Sequence, residues 1–293
     1  MRIAITADLH FGHNRLGDDA THLLVQQLEQ QPPDLLLLGG DLGTDAHFDA
    51  CLECFSHLAC PKALVPGNHD LWVADDDHRG DSLAVYQHYL PSLCKQHGYH
   101  YLDAAPLVLP DADLAIVGSI NWYDYSWSLE QMKAEVDDWE YRLKHKAFTR
   151  GRHNDGRFVR WDVDDVRFTH LVVGNFQQQF QHALEQVENA IVMTHHPAFH
   201  GLSFPRRAPA QGIDELLWEA LSGNRSLEVF LAEHAARTPF ILSGHTHRAA
   251  ETKLGPARGI NIGGDYHFKR LLVIDWPARN VETFTFGDPD RRR

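Results

Sequence analysis

No stretch of this chain approaches the roughly 20 consecutive apolar residues needed to cross a bilayer. The N-terminus, MRIAITADLH, carries no basic leader followed by an apolar core and reads directly as a strand. The expected setting is the cytoplasm, with no membrane partner. Basic residues are also in short supply: 27 lysines and arginines against 40 aspartates and glutamates, a net charge of −13. Cations so few and scattered argue against long nucleic acid as a partner. Small phosphorylated molecules stay open, because bound cations can reverse a local field. Cysteine is sparse too, at positions 51, 54, 60 and 94. Cys51 and Cys54 form a C-x-x-C, but no second pair follows at zinc-ribbon spacing. Their segment, DAHFDACLECFSHLA, has apolar residues at helical spacing, so buried thiols on a helix are expected. Fixed-period repeats and low-complexity tracts are missing as well.

What is plentiful is histidine, 21 residues in a chain of 293. The framework that would place them alternates short apolar runs with amphipathic stretches. RIAITA (2–7), DLLLLGG (34–40) and KALVPG (62–67) read as strands, separated by helices over 20–31 and 47–58. This β-α-β-α-β rhythm predicts a parallel sheet covered on both faces. LAVYQHYLPSLCKQHG reads as a helix containing a proline, and LVLPDADLAIVG (107–118) as a hairpin around Pro110-Asp111-Ala112-Asp113. AIVMTHH (190–196) is a strand, helices follow in 213–236, and PFILSGH (239–245) is another strand. ARGINIG, LLVIDW and VETFTF then suggest an antiparallel meander. Two such halves predict two sheets packed face to face between helical layers in one α/β domain spanning 1–293. Residues 119–170 break the rhythm, holding four of the seven tryptophans in a heavily charged segment. They read as an insertion capping one end of the sheets.

Polar clusters recur where these strands end. Asp8 and His10 follow the first, Asp41 the second, and Asn68, His69 and Asp70 the third. His195 and His196 follow IVMT, and His245 and His247 follow FILSG. In open α/β sheets the C-terminal strand edge is where ligands bind, so the five clusters should converge on one crevice. Carboxylates gathered there would repel one another unless cations intervened. Mixed imidazole and carboxylate donors suit manganese, iron or zinc better than calcium or magnesium. Seven ligands exceed what one ion with an open position needs and fit two divalent ions sharing a carboxylate.

The series D-x-H, G-D, G-N-H-D, H-H-P and G-H-T-H, from residue 8 to 247, resembles the calcineurin-like metallophosphoesterases. The resemblance implies a four-layer α/β/β/α sandwich of two mixed sheets and a two-metal centre. It implies one metal held by Asp8, His10 and His247, another by Asn68, His195 and His245, and Asp41 bridging both. Of the adjacent histidines, His195 matches the ligand, and His196 must face the other way because neighbouring strand residues alternate. His69 matches the family's outer-sphere histidine, which acts on the leaving group. The expected reaction is attack on phosphorus by a hydroxide bridging the metals, with His69 as proton donor. Asp70 is expected to orient the His69 imidazole and raise its pKa.

Beyond the motifs, Asn14 and Arg15 after the first cluster and Arg248 after His247 are candidate substrate contacts, with His13 beside them. Asn121, Trp122 and Tyr123 could line the pocket, and Arg206 and Arg207 could meet an anion. His78, His145 and His153 lie in charged stretches and read as solvated. The leading expectation is a hydrolase of small phosphodiesters, nucleotides among them. A phosphomonoesterase, a nuclease and a non-catalytic scaffold of the same fold are the alternatives.

Overall fold

The computed structural model describes residues 1–204 and 212–290. The strands are β1 (Arg2–Thr6), β2 (Leu35–Gly39), β3 (Lys62–Val65), β4 (Tyr99–Tyr101), β5 (Leu107–Leu109), β6 (Leu114–Ser119), β7 (Asn189–Thr194), β8 (Phe240–Ser243), β9 (Ala250–Leu254), β10 (Ala257–Asn261), β11 (Phe268–Asp275) and β12 (Asn280–Gly287). The helices are α1 (Arg15–Gln30), α2 (Ala46–Cys54), α3 (Ser82–Ala84), α4 (Leu90–Gln96), α5 (Leu129–Glu135), α6 (Trp139–His145), α7 (Asp155–Phe158), α8 (Asp165–Leu184), α9 (Ile213–Ala220) and α10 (Arg225–Glu233).

Two six-stranded mixed sheets result, ordered β12-β11-β1-β2-β3-β4 and β5-β6-β7-β8-β10-β9. β1 through β4 run parallel, as do β6, β7, β8 and β10, so their C-terminal ends share one edge. The four leucines of β2 show how the layers form. Alternate side chains of a strand point to opposite faces. Leu35 and Leu37 join Ile3, Ile5, Ile191 and Leu242 between the sheets. Leu36 and Leu38 pack outward with Leu24 and Leu28 of α1 and Phe48 and Leu52 of α2. On the second sheet Val117, Val192 and Ile241 face outward against Phe176 and Phe180 of α8 and Phe230 of α10. A strand buried on both faces is apolar throughout, which is why β2 reads as an unbroken run. The layers are α/β/β/α.

Three expectations change here. The C-terminal strands are not one meander: β10 pairs parallel with β8, whereas β11 crosses to pair antiparallel with β1 and carries β12 with it. Of the three strands β10, β11 and β12, β11 and β12 alone pair as an antiparallel hairpin, while β10 forms one with β9; the hairpin expected at 107–118 is β5–β6. The stretch 119–170 is not of one kind either, because α8 already begins at Asp165 and packs on β6 as framework. The helix with the internal proline is two helices around a π-turn, Val85–Tyr89, and Pro91 stands in the first turn of α4, where its missing N–H costs no bond. Cys51 is buried and Cys54 half-buried on α2, both free thiols.

Candidate metal centre

Five strand ends deliver the clustered side chains to one place. β1 leads to Asp8 and His10, β2 to Asp41, β3 to Asn68 and His69, β7 to His195, and β8 to His245 and His247. The turns are stitched together by the backbone. Asp8 N–H donates to Gly40 O (3.0 Å), His10 N–H to Asp41 O (2.8 Å) and Gly244 N–H to His195 O (3.0 Å). Asp8, His10, Asp41, His245 and His247 all lie at φ between 41° and 69°. Non-glycine residues in this left-handed region are uncommon and concentrate at functional sites.

Donor atoms of Asp8, His10, Asp41 and His247 lie within 4.8 Å of one another. The Nε2 atoms of His10 and His247 are 2.9 Å apart, and His10 Nε2 is 3.7 Å from Asp41 Oδ2. A second group surrounds Asn68 Oδ1, with His195 Nε2 at 3.0 Å and His245 Nδ1 at 3.2 Å. Asp41 faces both groups, since its Oδ1 is 3.4 Å from His195 Nε2. The donor set fits divalent cations. Asp8 Oδ2 is buried with no hydrogen-bond partner. Burial, reinforced by the carboxylates of Asp70 and Asp8, pushes the Asp41 pKa well above the ordinary range, and burial raises Asp8 to about 6. Burial lowers His10, His195 and His245, so these imidazoles are neutral, the form that binds metal.

Asp70 has a different task from the expected one. Its Oδ2 accepts from the backbone N–H of Gly67 (2.7 Å) and Asp41 (3.0 Å), and its Oδ1 from Leu42 (2.8 Å) and Gly43 (3.1 Å). Both oxygens are thus spent clasping the β2 and β3 turns. The carboxylate beside the His69 ring is Asp41, with Oδ2 3.8 Å from Nε2. The His69 pKa is lowered by burial rather than raised.

The other candidates divide clearly. His196 bonds through Nδ1 to Ile120 O (3.1 Å), and its ring packs on that of His245 with centroids 4.1 Å apart. Asn14 is no substrate contact: its Oδ1 caps α1 at Gly17 N–H (3.0 Å) and its Nδ2 donates to Tyr266 O (3.0 Å). Arg15 is 93% exposed beside Asp19, Arg248 is exposed, and neither lines the cavity described below. Asn121 bonds to His196 O and Pro197 O, and Trp122 to Asp165, both fully buried rather than pocket-lining. His78 and His145 are exposed as expected, but His153 is nearly buried, its Nδ1 3.3 Å from Asp155 Oδ2. Arg206 and Arg207 lie outside the described residues.

Several participants carry no signal in the sequence. Asp155 accepts from Asn68 Nδ2 (2.8 Å), Trp72 Nε1 (2.8 Å) and Tyr123 OH (2.9 Å). Because the amide nitrogen of Asn68 is taken, its oxygen faces the histidines. Burial opposes the Asp155 charge, but His153 and the hydrogen bonds outweigh it and hold the pKa well below the usual value. Lys269, fully buried, donates to Asp8 O (3.3 Å) and Asp265 O (2.6 Å). Beside the donor cluster opens a cavity of about 490 Å³. His10, His69, Trp72, Arg79, Phe158 and Tyr266 are among the residues lining it.

An α/β/β/α sandwich with convergent aspartates and histidines at its strand ends defines a metal-binding hydrolase frame. The chain belongs to the calcineurin-like phosphoesterase family, whose model matches residues 1–249. Membership makes it a metal-dependent phosphoester hydrolase by class. No curated protein matches the sequence. Among solved structures, phosphopantetheinyl hydrolase (PptH) from Mycobacterium tuberculosis has a similar fold. It is 18% identical with a TM-score of 0.67, and the match covers 99% of this chain and 98% of that one. TT1561 of Thermus thermophilus is 14% identical with a TM-score of 0.54, the coverage being 97% of each chain.

Proposed function

We propose that the protein hydrolyses small phosphodiesters using two divalent ions, manganese, iron or zinc. Asp8, His10 and His247 would hold one ion, Asn68, His195 and His245 the other, and Asp41 both. When bound, such ions acidify a water nucleophile and neutralise charge on the phosphoryl oxygens. The chain's own residues do the rest. Asp70 fixes the turns that carry Asp41 and Asn68, and Asp155 fixes the face that Asn68 presents. His69, at the cavity wall, passes a proton to the leaving oxygen. An anionic substrate filling the cavity supplies the charge partner that favours a protonated imidazole there.

The observation that carries this reading is the convergence of seven donor side chains from five strand ends. The diester preference rests on charge. Among the described residues lining the cavity, Arg79 is the one lysine or arginine, and Asp77 already pairs with it through Nε (2.9 Å) and Nη2 (2.8 Å). A dianionic monoester would want a further fixed cation. A long nucleic acid would want a basic surface, against a net charge of −13.

The test is a substrate panel on manganese-loaded protein. Bis-p-nitrophenyl phosphate should turn over faster than p-nitrophenyl phosphate, and the reverse order overturns the diester preference. Metal analysis should give about two ions per chain, with activity lost on chelation. Absence of activity with metals bound favours the scaffold, and activity that survives a chelator overturns the metal-dependent reading. His69→Ala should lose about 10²–10⁴-fold, the usual range for a general acid. A phosphopantetheinyl ester belongs in the panel because one structure of this fold is named for that hydrolysis.

A further inference from the structure

We infer that Trp72 is the positioning residue that sets the plane of the His69 imidazole for proton transfer, and that Asp155 anchors it. The inference rests on the reading of His69 as proton donor. A catalytic imidazole is ordinarily aimed by a carboxylate or carbonyl on its second nitrogen. Among the described residues no hydrogen bond holds the His69 ring; the bonds are to its backbone, with N–H donating to Asp41 Oδ1 (2.9 Å) and the carbonyl accepting from Trp72 N–H (3.2 Å). Instead the Trp72 ring stacks on it, centroids 3.5 Å apart and planes 26° from parallel.

The indole is itself held at several points. Its Nε1 donates to Asp155 Oδ1 (2.8 Å), and Phe158 packs with its ring centroid at 5.3 Å. The Trp72 backbone carbonyl accepts from Arg79 Nη2 (2.7 Å), which the paired Asp77 keeps in place. Asp155 is 1% exposed, and the same oxygen that receives the indole N–H also receives the Asn68 amide. One carboxylate therefore orients both a metal ligand and the platform under the proton donor. An indole with its polar atom tied down can slide little, so the face it offers fixes the imidazole plane.

The experiment compares leaving groups. p-Nitrophenolate departs with little help from an acid, whereas phenolate needs protonation more. The rate on diphenyl phosphate divided by that on bis-p-nitrophenyl phosphate, with manganese-loaded protein, therefore reports proton delivery. Trp72→Leu should lower that ratio about tenfold, a fraction of the full general-acid contribution. Trp72→Phe keeps a stacking face but loses the tether to Asp155 and should lower it several-fold. A purely structural role would lower both rates together and leave the ratio at the wild-type value. If His69→Ala lowers the ratio and both Trp72 variants leave it unchanged, the positioning role is overturned while the proton donor stands. If His69→Ala itself leaves the ratio unchanged, the proton-donor reading fails first. Should Trp72→Leu not fold, Trp72→Phe decides the question alone.

Discussion

Asp70 illustrates how one side chain can be legible as important and misread as to task. Its place in G-N-H-D suggests a partner for His69, yet its two oxygens receive four backbone N–H groups from both flanking turns. Those amides are buried, and a donor left without an acceptor there costs about 1–3 kcal/mol. Asp70→Asn replaces one accepting oxygen with an NH₂ group facing two N–H donors. The variant should unfold at lower urea, by at least about 2 kcal/mol. Its ratio of phenyl to p-nitrophenyl ester turnover should stay near the wild-type value, whereas a selective loss on the phenyl ester would restore Asp70 as the partner of His69. The convergence of the candidate ligands was readable because residue type and order survive in the sequence. Asp155 was not: a carboxylate in the charged run RHNDGR looks the same whether it meets solvent or, as here, Asn68 and Trp72. Asn14 was misassigned for the opposite reason, since a polar residue beside a cluster is indistinguishable from the cap of the next helix until α1 is seen to start at Arg15.

At the scale of elements, strands and helices were legible because burial imposes a period. The unbroken leucines of β2 and the spaced apolar residues of α1 each have one economical explanation. Which sheet a strand joins is another matter. Alternation reports faces, not neighbours, so β10 and β11 read as consecutive members of one meander although they lie in different sheets. The strand-end glycines tie element to site. A Cβ on Gly67 would sit 2.2 Å from Asp41 Oδ1 and 2.3 Å from Asp41 N, and only 2.8 Å from His195 Cε1. Backbone cannot yield as a flexible side chain can, so the β2 and β3 turns must separate to admit a methyl group. Gly67→Ala should therefore lose bound metal, measured on purified protein, before it loses its far-ultraviolet circular dichroism. Full retention of bound metal would show that the turns are not closely apposed.

For the whole molecule, the site is a concentration of acidic groups inside an acidic protein, and its electrostatics make metal and pH interdependent. Burial raises Asp8 to about 6, Asp70 to about 7 and Asp41 well above the ordinary range. A carboxyl whose folded pKa exceeds its unfolded one contributes stability that is complete below the unfolded value and is lost as pH rises through the folded value. The buried histidines have folded pKa values below the ordinary 6.5, so their contribution is lost only as pH falls, and above 6.5 it is constant. Protein stripped of metal should accordingly melt at lower temperature at pH 8 than at pH 6.5. Metal acts in the opposite sense, since it binds the ionised carboxylates and competes with protons for them, while the histidines are already neutral. Binding at a hundredfold excess over the dissociation constant adds about 2.7 kcal/mol to the folded state. The difference in melting temperature between manganese-loaded and chelated protein should therefore widen steadily from pH 5 to pH 8. A difference independent of pH would mean that Asp8 and Asp41 take no part in holding the ions.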